Sequence, residues 1–186
     1  MDRTDEQRLT VRKVKQRLRR NRWRRSAAVL PVILLAMVVL LAALWVPVLQ
    51  VSGTSMAPAV SNGETVAVLW QPNYQQGDIV AFECQGQILT RRVIAGPGSL
   101  VDIDTEGNVT VDGVLLNEPY VTEKALGVCT TQFPCKVPEG HWFVLSDRRS
   151  TSLDSRSTMI GCVSGEDIIG RIFAVLLPWD SSRLVS

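Results

Sequence analysis

The chain has 186 residues, 46% of them apolar and 20% charged, which gives room for one compact domain and an appendage. Its net charge of +2 hides an asymmetry: residues 1–25 hold eleven Lys or Arg against three acids, a net +8, and the remainder carries −6. A basic arm can bind nucleic acid, but that reading rests on the arm alone, and the arm abuts an apolar run, so nucleic acid is set aside as a partner.

Taken in chain order, residues 1–25 read as a basic cytoplasmic tail and residues 26–49, "SAAVLPVILLAMVVLLAALWVPVL", as a transmembrane signal anchor without a charged residue. About 20 apolar residues cross the hydrocarbon core, and the arginine cluster should stay cytoplasmic, with Trp23 and Trp45 as interfacial anchors. A cleaved signal peptide would have a shorter apolar core, of about 7–15 residues, and a small-residue exit. The lipid bilayer is therefore an expected partner, and residues 50–186 are an extracytoplasmic domain. In that domain, runs rich in β-branched and aromatic residues lie between turn signals. They are "ETVAVLW" (64–70), "DIVAFEC" (78–84), "QILTRRVI" (87–94), two strands within 99–116, "HWFVLS" (141–146) and "GRIFAVLLPW" (170–179). The pattern predicts a mainly β fold, an antiparallel domain of small sheets or a partly closed barrel.

"KALGVCTTQFPCKVPEG" (124–140) reads as a surface excursion and "DRRSTSLDSRST" (147–158) as an ordered, hydrogen-bonded loop. Outside the membrane, Cys129 and Cys135 could close the excursion as a disulfide. Cys84 and Cys162 either bridge each other or stay as buried thiols. With His141 they are too scattered for zinc spacing, so no metal is expected.

Just past the anchor, "SGTSMAPAV" offers Ser55 on a small-residue turn, either a nucleophile or a linker serine. A serine hydroxyl is a weak nucleophile without a base beside it. Read with "GDIVAF" (77–82), "TRRVIAGPG" (90–98), "VPEGHWFVLSDRRSTSLDSR" (137–156) and "EDIIGRIFAVLLPW" (166–179), the segment resembles bacterial type I signal peptidases. The resemblance covers roughly residues 30–180 and keeps motif order. It implies a membrane-anchored serine protease that removes signal peptides from exported preproteins and needs no cofactor. It makes Ser55 the nucleophile, with its own N–H helping to hold the oxyanion and Gly53 allowing close backbone approach.

The family's general base is a lysine, and the position matched to it here is Arg91. A guanidinium, with a pKa above about 12, stays protonated even when buried. At pH 7 fewer than roughly one molecule in 10⁵ could act as a base. Shifting the register by one residue meets Arg92, and Lys124 and Lys136 flank the cysteine loop. His141, the sole histidine, is either an edge residue or a substitute base. In the closing signature Asp147, Ser152, Asp154, Ser155 and Arg156 match the family, whereas Ser146 stands for Gly and Arg148 for Asn. The resemblance implies that Ser152 faces the base position and that Asp154 and Arg156 pair. Two functions follow as expectations: a signal peptidase with reduced activity, or a non-catalytic relative that binds or chaperones exported surface proteins.

Overall fold

The computed structural model describes residues 29, 31–38, 46–150, 153–178, 180 and 182–185. The basic tail, eleven of the 24 residues of the expected anchor and Ser152 lie outside these residues. Residues 31–38 are helical, and among the described residues no helix is long and apolar enough to cross a membrane. The chain divides into two compact units, with the boundary between Trp45 and Val46.

The second unit is built from two antiparallel sheets. The larger contains β1 (Val48–Gln50), β2 (Thr65–Leu69), β3 (Ile79–Cys84), β4 (Gln87–Ala95), β9 (His141–Leu145), β10 (Val163–Ser164), β11 (Ile168–Leu177) and β12 (Arg183–Leu184). Their order is β1-β2-β11-β3-β4-β9-β10, with β12 on β11. The smaller sheet orders β7 (Val114–Leu115), β6 (Val109–Val111), β5 (Leu100–Ile103) and β8 (Cys135–Lys136). The larger sheet keeps two free ends, β1 and β10, so no barrel closes. The last residues of the apolar run thus pair with β2, Leu49 opposite Val66.

Strand alternation distributes three cores. In β3, Ile79 joins Met56, Val60, Val66 and Ile172, whereas Val80 and Phe82 face Tyr74, Val93 and Trp142. In β9, Trp142 and Val144 enter that second core, and Phe143 and Leu145 enter a third with Ile94, Val101 and Val109. Buried on both faces, β9 is a fixed wall next to β4, where Leu145 pairs with Arg92.

The expected Cys129–Cys135 bridge is not formed; all four cysteines are free thiols. Strand pairing is the reason. β8 docks on β5, Cys135 opposite Val101, and brings the Cys135 thiol into hydrogen-bonding contact with Cys162 beside the third core. Cys129 stays in a loop tied elsewhere: its thiol meets Thr131 O at 3.4 Å, and the Thr130 and Thr131 N–H groups each donate to Arg156 O at 2.9 Å. Burial, then the neighbouring Cys135, pushes the Cys162 thiol up to about 12. Only the thiolate reacts with alkylating reagents, so at pH 8 the reactive population is on the order of 10³-fold below that of an ordinary cysteine. In time-resolved iodoacetamide labelling read by mass spectrometry, Cys162 should label slowest of the four. Labelling as fast as Cys129 would refute its burial against Cys135.

Candidate active site

The serine segment is held by its neighbours on both sides. Val51 N–H donates to Glu64 O and Gly63 N–H to Val51 O, both at 2.8 Å, which closes the chain back on β2. Gly53 turns at φ +96°, where a Cβ would be strained, and donates its N–H to Asn62 Oδ1 at 2.8 Å. Met56 and Val60 then sink into the first core, which fixes the backbone on either side of the half-buried Ser55. Arg183 fastens the far end through Ala59 O at 2.7 Å and the Glu64 carboxylate at 3.0 Å. Ser55 O accepts from the N–H of Arg148 at 3.0 Å. The Ser55 N–H has no acceptor among the described residues.

Successive residues of a strand point to opposite faces, so β4 sends its two arginines to different tasks. Arg91 reaches the serine: Nη1 donates to Ser55 Oγ at 2.9 Å and to Thr90 O at 2.6 Å. Its Nε and Nη2 both donate to Leu153 O, at 2.8 and 2.6 Å. Arg92 instead grips both oxygens of Asp147, at 2.8 and 2.7 Å, donates to Gly77 O, and lies 4.1 Å from the Tyr120 ring centroid. Burial lowers the Arg91 pKa; the charge of Asp154 opposes the change and that of Arg156 adds to it. A guanidinium starts so high that it remains charged at neutral pH. Arg91 therefore orients and polarises Ser55 Oγ but cannot take its proton.

The closing segment is braced by buried charges. Arg156 chelates Asp154, Nε to Oδ1 and Nη2 to Oδ2, both at 2.8 Å, and Ser146 Oγ donates to the same carboxylate at 2.7 Å. Arg156 also reaches into the cysteine loop, donating to Leu126 O at 2.7 Å and Ala125 O at 3.2 Å. Gly127 makes this reach possible: at φ +64°, its Cβ would stand 2.6 Å from Arg149 O and 2.7 Å from Arg156 Nη1. Arg149 pairs with Glu118, which accepts from Tyr120 OH. Beside Arg91 opens a cavity of about 250 Å³, walled by Leu89, Leu153, Met159 and Ile160 together with Cys84.

The fold thus brings Ser55 and Arg91 into direct contact and sets Asp154 and Arg156 behind them through Leu153 O. Asp147 serves Arg92, and Arg148 touches the serine turn, its backbone on Ser55 and its Nη1 3.3 Å from Thr54 Oγ1. His141 is elsewhere. It opens β9, its Nδ1 is 2.9 Å from Glu139 O, and it pairs with Ser164. Four residues of strand, about 13 Å, separate it from Leu145 beside Arg92. Glu118, Tyr120 and Arg149 were not singled out in the sequence. The only cue there was an acid and a tyrosine in "NEPY" ahead of an arginine-rich loop.

At one edge of the β domain a serine hydroxyl is thus held by a buried cation, and its own N–H has no acceptor among the described residues. Comparison with known proteins names the group. The family "Signal peptidase, peptidase S26" matches residues 22–179. Signal peptidase I U of Bacillus subtilis is 33% identical over 145 residues, covering 72% of this chain and 76% of its own. Signal peptidase I of Bacillus amyloliquefaciens is 32% identical over 193 residues, with 97% and 98% covered. A solved signal peptidase I of Enterococcus faecalis V583 aligns at 29% identity and a TM-score of 0.46 over 54% of this chain and 97% of its own. The chain belongs to the bacterial type I signal peptidase family.

Proposed function

We propose that this protein is a membrane-anchored, signal peptidase I-type serine endopeptidase that engages signal peptides of exported preproteins and cleaves them slowly. The apolar run from residue 26 up to β1 is the anchor, residues 1–25 lie in the cytoplasm, and the β domain works on the outer face. The observation that carries the reading is the 2.9 Å contact from Arg91 Nη1 to Ser55 Oγ. The nucleophile is retained, and a cation that cannot act as a base fills the base position. Serine enzymes stripped of one catalytic partner can keep about 10³–10⁴-fold acceleration over water through the oxyanion site and binding. The free Ser55 N–H supports a residual rate of that kind.

The test uses the full chain in detergent micelles with a signal-peptide substrate. The parent should cleave slowly and Ser55→Ala should not cleave; equal rates for the two would remove Ser55 from the chemistry. A second reading is a non-catalytic member that binds exported proteins. It is favoured by the four hydrogen bonds that fasten a permanent cation on the serine. Tight binding of the substrate with no Ser55-dependent cleavage would select it.

A further inference from the structure

Among the described residues four carboxylates are buried, Glu64, Glu118, Asp147 and Asp154, and each is paired with an arginine: Arg183, Arg149, Arg92 and Arg156. Arg91 is not among these partners. It is 5% exposed, and among the described residues it forms no ion pair. Its hydrogen bonds run to two carbonyl oxygens and one hydroxyl, which solvate the cation without neutralising it. An uncompensated charge held out of water is costly, and an anion of fitting size relieves it.

Several donors at this corner are unspent. A guanidinium has five N–H groups, and the four bonds of Arg91 leave one on Nη2. Ser55 contributes its N–H, and its hydroxyl hydrogen is also free, since Oγ accepts from Arg91. Arg148 stands exposed at the edge, its Nη1 near Thr54. A carboxylate offers two acceptor oxygens and one negative charge, which matches this set. A backbone amide carbonyl offers an oxygen but no charge. The neighbouring cavity, with Leu89, Leu153, Met159 and Ile160, can take an apolar side chain of the segment that carries the group.

We infer that the Ser55–Arg91 corner is a seat for the terminal carboxylate of a peptide, so that the protein holds chains with a free C-terminus more tightly than uninterrupted ones. The inference rests on the peptide-engaging role proposed above and gives it a direction. Where a neutral base would release a cut chain, the fixed cation retains it.

The probe is a fluorescein-labelled leucine-rich peptide ending in alanine, made once with a free carboxylate and once as the C-terminal amide. Binding to the full chain in detergent is read by fluorescence anisotropy. The acid should bind about 10–100-fold tighter than the amide, the range of a charge-assisted hydrogen-bonded contact. Arg91→Gln should erase the difference, and Arg148→Gln should narrow it. Equal affinity of acid and amide for the parent overturns the carboxylate seat and leaves peptide engagement standing. Failure of both peptides to bind overturns the two together. An acid preference that survives Arg91→Gln unchanged overturns the assignment to Arg91.

Discussion

Arg91→Lys should raise Ser55-dependent cleavage of a signal-peptide substrate by about 10²–10⁴-fold, the usual contribution of a positioned general base. A lysine on β4 starts from the same Cα and points to the same face as Arg91, toward Ser55 Oγ. The burial that lowers the Arg91 pKa would act on the ammonium too, and an ammonium loses its proton within reach of neutral pH when desolvated. Burial is the cause that decides the direction, since of the nearby charges Asp154 raises the Arg91 pKa and Arg156 lowers it. The gain should therefore appear as kcat/KM rising with pH through the lysine pKa between pH 6 and 10, a limb the parent lacks. Ser55→Ala in the lysine background should abolish it. A parent that already cleaves at ordinary enzyme rates and gains nothing from lysine would sink the missing-base account.

Asp154→Asn should cost about 3–5 kcal/mol of stability, as expected when one partner of a buried pair is removed. Asp154 is 1% exposed and Arg156 likewise, so the guanidinium left behind would be a second uncompensated cation next to Arg91. Burial alone would raise the Asp154 pKa, yet the bonds from Arg156 and Ser146 hold it below the usual carboxylate range. The stabilisation is thus present above the unfolded-state value of about 3.9 and is lost as pH falls through the lower folded value. Urea melts from pH 7 down to pH 2 should show the parent losing this advantage at the acid end, while the asparagine variant starts low and changes less. A variant within 0.5 kcal/mol of the parent at pH 7 would show that the pair contributes nothing net.

Much of this architecture was legible because strands buried on both faces are short runs rich in β-branched and aromatic residues between turn signals. "ETVAVLW", "DIVAFEC", "QILTRRVI" and "HWFVLS" all became strands of the larger sheet. β8, β10 and β12 did not announce themselves, since two residues carry no period. β1 was hidden differently: Val48 and Leu49 are as apolar facing a sheet as facing lipid, so they merged with the run before them. Ser55 and Arg91 were found through motif order, and their contact spans 36 positions. The charge pairs around them span 31 and 55 positions, Arg149 with Glu118 and Arg92 with Asp147, and no local pattern marks such partners. The cysteine pairing failed for the same reason: closeness in sequence favoured Cys129, and strand docking favoured Cys162.

The cysteine loop carries a consequence for anyone who edits this protein. Surface loops are the usual places to graft an epitope or accept an insertion, because their backbones face water. Here the carbonyls of Ala125 and Leu126 are bound by Arg156, and Thr130 and Thr131 bind its backbone in return. From Arg156 the connection runs through Asp154 to its neighbour Leu153, whose carbonyl holds Arg91 against Ser55. At Gly127 there is no space even for a methyl group. A tag placed between Leu126 and Cys129 would therefore not be a silent handle; it would pull on the far end of a linkage whose near end is the serine hydroxyl.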